Sequence, residues 1–163
     1  MEQDTKSSIL EVALDLFSEN GYDGTSLQQI ADRLQISKTA LYRHYKSKED
    51  IFNSIIKDVD SYYSARFYPQ KKIKINSLDE LFDLSMQQIR FTVFDSKIIR
   101  IRKLFTLSQF RNERIAALTT QYFLTAIERL YESIFSALIE NGTLKAYDPA
   151  ILAFEYTATV GTL

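Results

Sequence analysis

The stretch SLQQIADRLQISKTALYRHYKSK, residues 26–48, carries three helix starts in close succession. Ser26 followed by Gln29 is the pattern of a capping box, in which each side chain takes up a backbone N–H that the first turn of a helix leaves unpaired. Leu27, Ile30, Ala31 and Leu34 then recur at helical spacing and predict one buried side. The segment stops around Gln35-Ile36, where Ser37 offers a second N-cap to a short helix from Lys38 to about Tyr45. Ser47 opens a third, read as 48 to about 66, with Glu49 and Asp50 in its first turn, where carboxylates favour the positive end of the helix dipole. Two short helices joined by three or four residues, the second of them basic, fit a helix-turn-helix that places its second helix in the major groove of DNA.

Outward from this stretch the punctuation stays helical. Upstream, Ile9, Ala13, Leu16 and Phe17 form one apolar stripe that ends at Asn20-Gly21, a left-handed C-cap signature, predicting a helix over about 5–20. Downstream, Ser77 begins a second group of helices at about 78–95, 97–110, 112–141 and 149–163. Gly and Pro total six and fall mostly between these segments rather than inside them. Residues 70–76, with Lys71, Lys72 and Lys74, read as a polar, solvated connection. The expectation is an all-α chain with a small first domain, 1–50, and a larger helical one, 51–163.

Composition removes several functions. With no Cys and one His, His44, the chain offers no Cys/His zinc site, no thiol nucleophile and no iron–sulfur ligation. It shows no Ser/His/acid arrangement and no phosphate-cradling Gly loop, so neither an enzyme nor a resident cofactor or metal is expected. The polar, acidic amino terminus shows no secretory pattern, and the charge-free run Ile115–Ile127 is shorter than the ~20 apolar residues that cross a bilayer. A cytoplasmic protein without a membrane span is expected. The apolar close at Leu163, with no polar tail, reads as a chain that continues.

The 20 basic and 21 acidic residues balance overall but not locally. Arg33, Lys38, Arg43, Lys46 and Lys48 follow one another with His44 and no acid between, whereas residues 1–32 carry seven acids against Lys6. On the helix-turn-helix reading, Lys38, Lys46 and Lys48 neutralise phosphates, and Tyr42 and Tyr45 donate hydroxyl hydrogen bonds to phosphate oxygens. Lys38 or Arg43 would read guanine, Thr39 and Ala40 a thymine methyl, and Gln28 adenine.

Residues 9–52 resemble the amino-terminal domain of the TetR family of bacterial transcriptional regulators. The resemblance rests on the Leu-Phe…Gly-Tyr…Thr-Ser…Ile-Ala spacing, the Ile-Ser-Lys-Thr-Ala-Leu-Tyr recognition helix and the Tyr-Lys-Ser-Lys-Glu-Asp approach to the fourth helix. It implies a homodimer with a helix-turn-helix DNA-binding domain followed by a larger helical ligand-binding and dimerisation domain. By motif position it implies that Ser26, Gln28, Lys38, Thr39, Tyr42, His44 and Lys48 contact a double-stranded operator. Gln35 departs from the pattern, standing where Gly is common between the second and third helices, at a modest strain cost.

A small-molecule effector is expected in the second domain. Four of the 21 Tyr and Phe residues lie in the first 50 residues, leaving the remainder more aromatic than a small core needs. Tyr62, Phe82, Met86, Phe105, Gln109, Tyr122 and Phe123 are the candidate lining of an apolar cavity for a flat or lipophilic molecule. Arg100, Arg102 and Lys103 sit at a helix start and are either a solvated face or a junction between the ligand domain and the DNA domain, where cations could meet the acidic first helix. The resulting reading is a ligand-responsive repressor. A family-like helical module acting through a protein partner is the alternative.

Overall fold

The computed structural model describes residues 2–67 and 75–161, and every regular element among them is helical. The chain is all-α: α1 Glu2–Asn20, α2 Leu27–Arg33, α3 Lys38–His44, α4 Lys48–Phe67, α5 Leu78–Phe94, α6 Ser96–Ser108, α7 Glu113–Thr120, a π-helical segment Gln121–Thr125, α8 Ala126–Glu140 and α9 Pro149–Gly161. Lys71, Lys72 and Lys74 of the expected polar connection lie outside the described residues. The helices pack as two compact units, Met1–Lys72 with Arg100–Phe110, and Ile73–Ile99 with Arg111–Leu163. As a packing unit the first reaches well past residue 50: it includes Ile51, Phe52, Ile55 and Val59 of α4 and Ile101, Leu104 and Phe105 of α6, all of them buried.

In the first unit, the rings of Phe17, Tyr22 and Phe52 meet at centroid separations of 5.2–6.5 Å and tie α1, the turn after it and α4 into one aromatic cluster. The α1–α2 turn satisfies its own backbone. The Gly21 N–H donates to Phe17 O at φ +75°, and the buried Thr25 hydroxyl lies 3.1 and 3.0 Å from the carbonyls of Leu16 and Gly21. A side chain at Gly24 would collide with the Asn20 carbonyl, so that position has room only for hydrogen.

The α2–α3 turn is a Schellman motif. The Ile36 N–H donates to Ala31 O and the Gln35 N–H to Asp32 O, both at 3.0 Å, a pattern that places the residue after the C-cap in the left-handed region. That residue is Gln35, with φ +56°. Gln35→Gly should therefore stabilise the protein by about 1 kcal/mol, the usual scale of left-handed strain in a residue with a Cβ. Urea unfolding of the two proteins checks this, and an equal or lower midpoint for the glycine variant counts against strain at this turn.

The second unit corrects one expectation. The segment 112–141 is not one uninterrupted α-helix, since Gln121–Thr125 forms a π-turn between α7 and α8. At roughly 100° per residue an unbroken helix would set Ile115 and Ile134 about 100° apart, and one looped-out residue brings both onto one face. Both side chains are buried. The core gathers Leu81, Leu130, Tyr131, Ile134, Phe135, Leu138 and Ala153, with Tyr156 packed against it. Within it the Tyr131 hydroxyl donates to Gln88 Oε1 at 2.7 Å, and that of Tyr156 donates to Ser85 Oγ at 2.6 Å. The Ser85 hydroxyl in turn donates to Leu81 O, linking α5, α8 and α9 through polar contacts shielded from water.

Burial pushes the Tyr131 hydroxyl from 10.0 up to about 12. A raised folded-state value means that this stability is complete below pH 10 and is lost as pH rises through 12; a two-unit gap corresponds to about 3 kcal/mol. Tyr131→Phe strips Gln88 Oε1 of its donor and should lose about 1–3 kcal/mol at neutral pH. It should also show a smaller decline between pH 10 and 12 than the parent. Urea midpoints measured across that range test both effects, and parallel pH profiles would exclude the alkaline one.

Candidate nucleic-acid interface

Each short helix of the first unit is held by its own caps, which leaves its outer side chains available. Ser26 Oγ accepts from the Gln29 N–H while Gln29 Oε1 accepts from the Ser26 N–H at 2.7 Å, the reciprocal box expected. Ser37 Oγ accepts from the Ala40 N–H and Ser47 Oγ from the Asp50 N–H. One buried side chain, Leu41, anchors α3. Around it Lys38, Thr39, Tyr42 and Arg43 are exposed, and Ala40 and His44 half-buried. Lys38 Nζ lies 5.9 Å from the centroid of the Tyr42 ring, a loose cation–π pair along one face of the helix.

The remaining expected DNA contacts are less free. Gln28 Nε2 donates to Asp32 Oδ1 at 2.7 Å. The half-buried Lys48 ammonium donates to Tyr22 O at 2.7 Å and Thr25 O at 2.8 Å, and lies 4.3 Å from the Tyr22 ring centroid. Burial pushes its pKa down, opposed by the Asp23 carboxylate. With three donors on an ammonium, one N–H is left for a phosphate. His44 Nδ1 is buried with no hydrogen-bond partner. Tyr45 is corrected from phosphate ligand to core: it is 7% exposed, and burial raises its hydroxyl above the ordinary tyrosine range.

Of the basic residues that open α6, Arg100 packs within the first unit. Its Nη1 lies 2.7 Å from Asp15 Oδ1 and 2.9 Å from Glu11 Oε2, so this cation meets the acidic first helix. Burial is the largest single influence on its pKa and pushes it down, but the hydrogen bonds and charges of Asp15 and Glu11 together outweigh it and hold the value above the ordinary arginine range. At the other end of α6 the buried Ser108 Oγ accepts the Tyr22 N–H at 2.9 Å. Nothing in the spacing of the sequence signals this second tie, since the partners are 86 residues apart.

The seven candidate effector residues do not gather in one unit. Tyr62, Phe105 and Gln109 belong to the first and Phe82, Met86, Tyr122 and Phe123 to the second. Phe105 is fully buried, while Phe82 is 63% exposed. Tyr122 and Phe123 lie in the π-turn, half-buried. Among the described residues no group of three acidic or His side chains could hold a metal ion, and no helix is long and apolar enough to cross a membrane.

A capped pair of short helices with a basic, exposed second member has the geometry of the helix-turn-helix class. Residues 9–55 match the family model of bacterial regulatory proteins, tetR family. The chain is 41% identical over 58 residues to the biofilm operon icaADBC HTH-type negative transcriptional regulator IcaR of Staphylococcus epidermidis, covering 36% of this chain and 31% of that one. To IcaR of Staphylococcus aureus strain Newman it is 33% identical over 108 residues, 66% of this chain and 56% of the relative. The chain thus spans from about a third to somewhat over half the length of these relatives.

Two solved structures show the same fold. The SmeT–triclosan complex has TM-score 0.76 and 19% identity, over 96% of this chain and 77% of that one. AibR in complex with isovaleryl coenzyme A and operator DNA has TM-score 0.71 and 23% identity, over 96% and 83%.

Lys48→Ala removes both carbonyl contacts and the ring contact at once. It should destabilise the protein by about 2 kcal/mol, on the scale of hydrogen bonds to charged groups. Urea unfolding tests this, and a midpoint unchanged from the parent would show that the ammonium does not hold the turn.

Proposed function

We propose that this chain is a ligand-responsive transcriptional repressor that binds a near-palindromic DNA operator as a homodimer and is released by a small apolar or aromatic effector. The observation that carries the reading is the exposed set Lys38, Thr39, Tyr42 and Arg43 on a helix whose backbone is capped and whose one buried side chain is Leu41. The likeness to IcaR, a negative transcriptional regulator, supports repression, and the operator-bound AibR supports the docking mode. Lys38 and Arg43 serve base edges or phosphates, Tyr42 and Ser26 the sugar–phosphate backbone, and Thr39 a thymine methyl. Lys48 offers a phosphate its remaining N–H. His44, half-buried at the end of α3, is assigned a further phosphate contact. The protein acts in the cytoplasm, where such an operator lies, and no catalytic step enters.

Dimerisation is assigned to α8 and α9, with the exposed Ile151 and Phe154 of α9 as the apolar surface a second copy would cover. Two recognition helices then reach successive major grooves roughly 34–36 Å apart. For the effector, the second-unit residues Phe82, Met86, Tyr122 and Phe123 are the candidates, as AibR and SmeT are each seen with a small molecule. An effector lowers DNA affinity only by binding unequally to two conformers. The covalent path for that preference is α6, which runs from Ser96 in one unit to Ser108 in the other and is tied to α1 through Arg100.

Selection from a random DNA library, with Lys38→Ala/Tyr42→Ala as control, tests the reading. The parent should recover an inverted repeat that the variant does not. No enrichment by a folded parent would move the assignment to a protein partner.

A further inference from the structure

The basic stretch that begins at Arg33 is preceded by one exposed carboxylate, Asp32 of α2, and its partner is a residue already placed at the DNA surface. Gln28 and Asp32 are four apart on one helix, the spacing at which a glutamine amide reaches an aspartate. An ionised carboxylate only accepts hydrogen bonds, so the end of the amide turned toward Asp32 must be the NH2. The 2.7 Å contact from Gln28 Nε2 to Asp32 Oδ1 has that polarity. The Asp32 backbone carbonyl accepts the Gln35 N–H in the turn that closes α2, so the main chain from which the carboxylate projects is fixed.

We propose that Asp32 is a positioning residue that sets the base preference of Gln28, fixing its amide so that the carbonyl oxygen leads toward the major groove. This rests on the DNA-binding reading above. A free glutamine amide can turn over and present either a donor or an acceptor. Held by Asp32, it presents an acceptor, with its second N–H beside it. Adenine matches this pair through N6–H and N7, and cytosine matches the oxygen through N4–H. Guanine, with acceptors at both O6 and N7, and thymine, with an acceptor at O4, can take only the second N–H and leave the oxygen facing an acceptor or without a donor. Asp32 thus disfavours two bases at a position it need not touch, and its negative charge near phosphates is the cost of that preference.

The experiment is selection from a random duplex library by the parent, Gln28→Ala, Asp32→Ala, Asp32→Asn and Asp32→Glu, with affinities then measured on the selected duplex and its single-base variants. Gln28→Ala should flatten one position in each half-site, at which the parent prefers adenine or cytosine by roughly fivefold or more. Asp32→Ala and Asp32→Asn should flatten that same position to within about twofold while binding the remaining sites as tightly as the parent or more so, because a charge repelled by phosphate has gone. Asp32→Glu should restore the preference. A merely structural role would weaken every site together and leave the pattern intact. That result, or an unchanged preference at the Gln28 position in Asp32→Ala, overturns the proposal, as does a Gln28→Ala variant with no altered position. If the parent enriches no sequence, the DNA-binding reading itself falls and takes this inference with it.

Discussion

The reversal of the chain at Leu34–Ile36 is the constraint from which the candidate interface follows. Within those residues the backbone must leave one helix and begin the next with its polar groups paired, because an orphaned buried N–H or carbonyl costs as much as a lost hydrogen bond. The Schellman pair, Ile36 to Ala31 and Gln35 to Asp32, meets that demand only with a left-handed residue at position 35. Ser37 then caps α3 at once. The direction of α3, and hence the outward exposure of Lys38, Thr39, Tyr42 and Arg43, follows from a turn too short to take any other path.

Around that turn the first unit divides its charges by purpose. Lys48 and Arg100 are half-buried and held by internal partners, Lys48 giving two of its three N–H groups to carbonyls and Arg100 pairing with two carboxylates. Lys38, Arg43 and Lys46 are exposed. Desolvation explains the division: a cation lowered into a partly apolar site is retained only where acceptors replace its water. A count of basic residues along the chain cannot tell the two kinds apart, which is why Lys48 reads like its neighbours in the sequence although its ammonium faces inward.

Local signals were the legible ones. The boundaries of α1 to α6 and α9 lie within a few residues of those expected, because caps, glycines and apolar spacing act within a turn or two of where they stand. The Arg100 junction was visible only as one of two options, as charge complementarity names possible partners without placing them. The π-turn at Gln121–Thr125 carries no Gly or Pro to announce it and follows from matching the buried faces of α7 and α8. Tyr45 was assigned to a surface that binds DNA, yet it is buried. An aromatic ring at helical spacing looks the same in either role until its neighbours are known.

The sequence by itself determined that the chain is helical, where its short helices begin, and that one of them is basic, since those properties depend on residues at most a turn apart. Tertiary structure alone decided which cations stay free, which hydroxyls become core, and that residues 100–110 belong with the first unit. Those outcomes depend on pairs such as Tyr22 with Ser108 and Asp15 with Arg100, 86 and 85 residues apart. Such pairs meet only when burial of the apolar faces has already drawn the helices together, and no pattern along the chain encodes which groups then lie within 3 Å of each other.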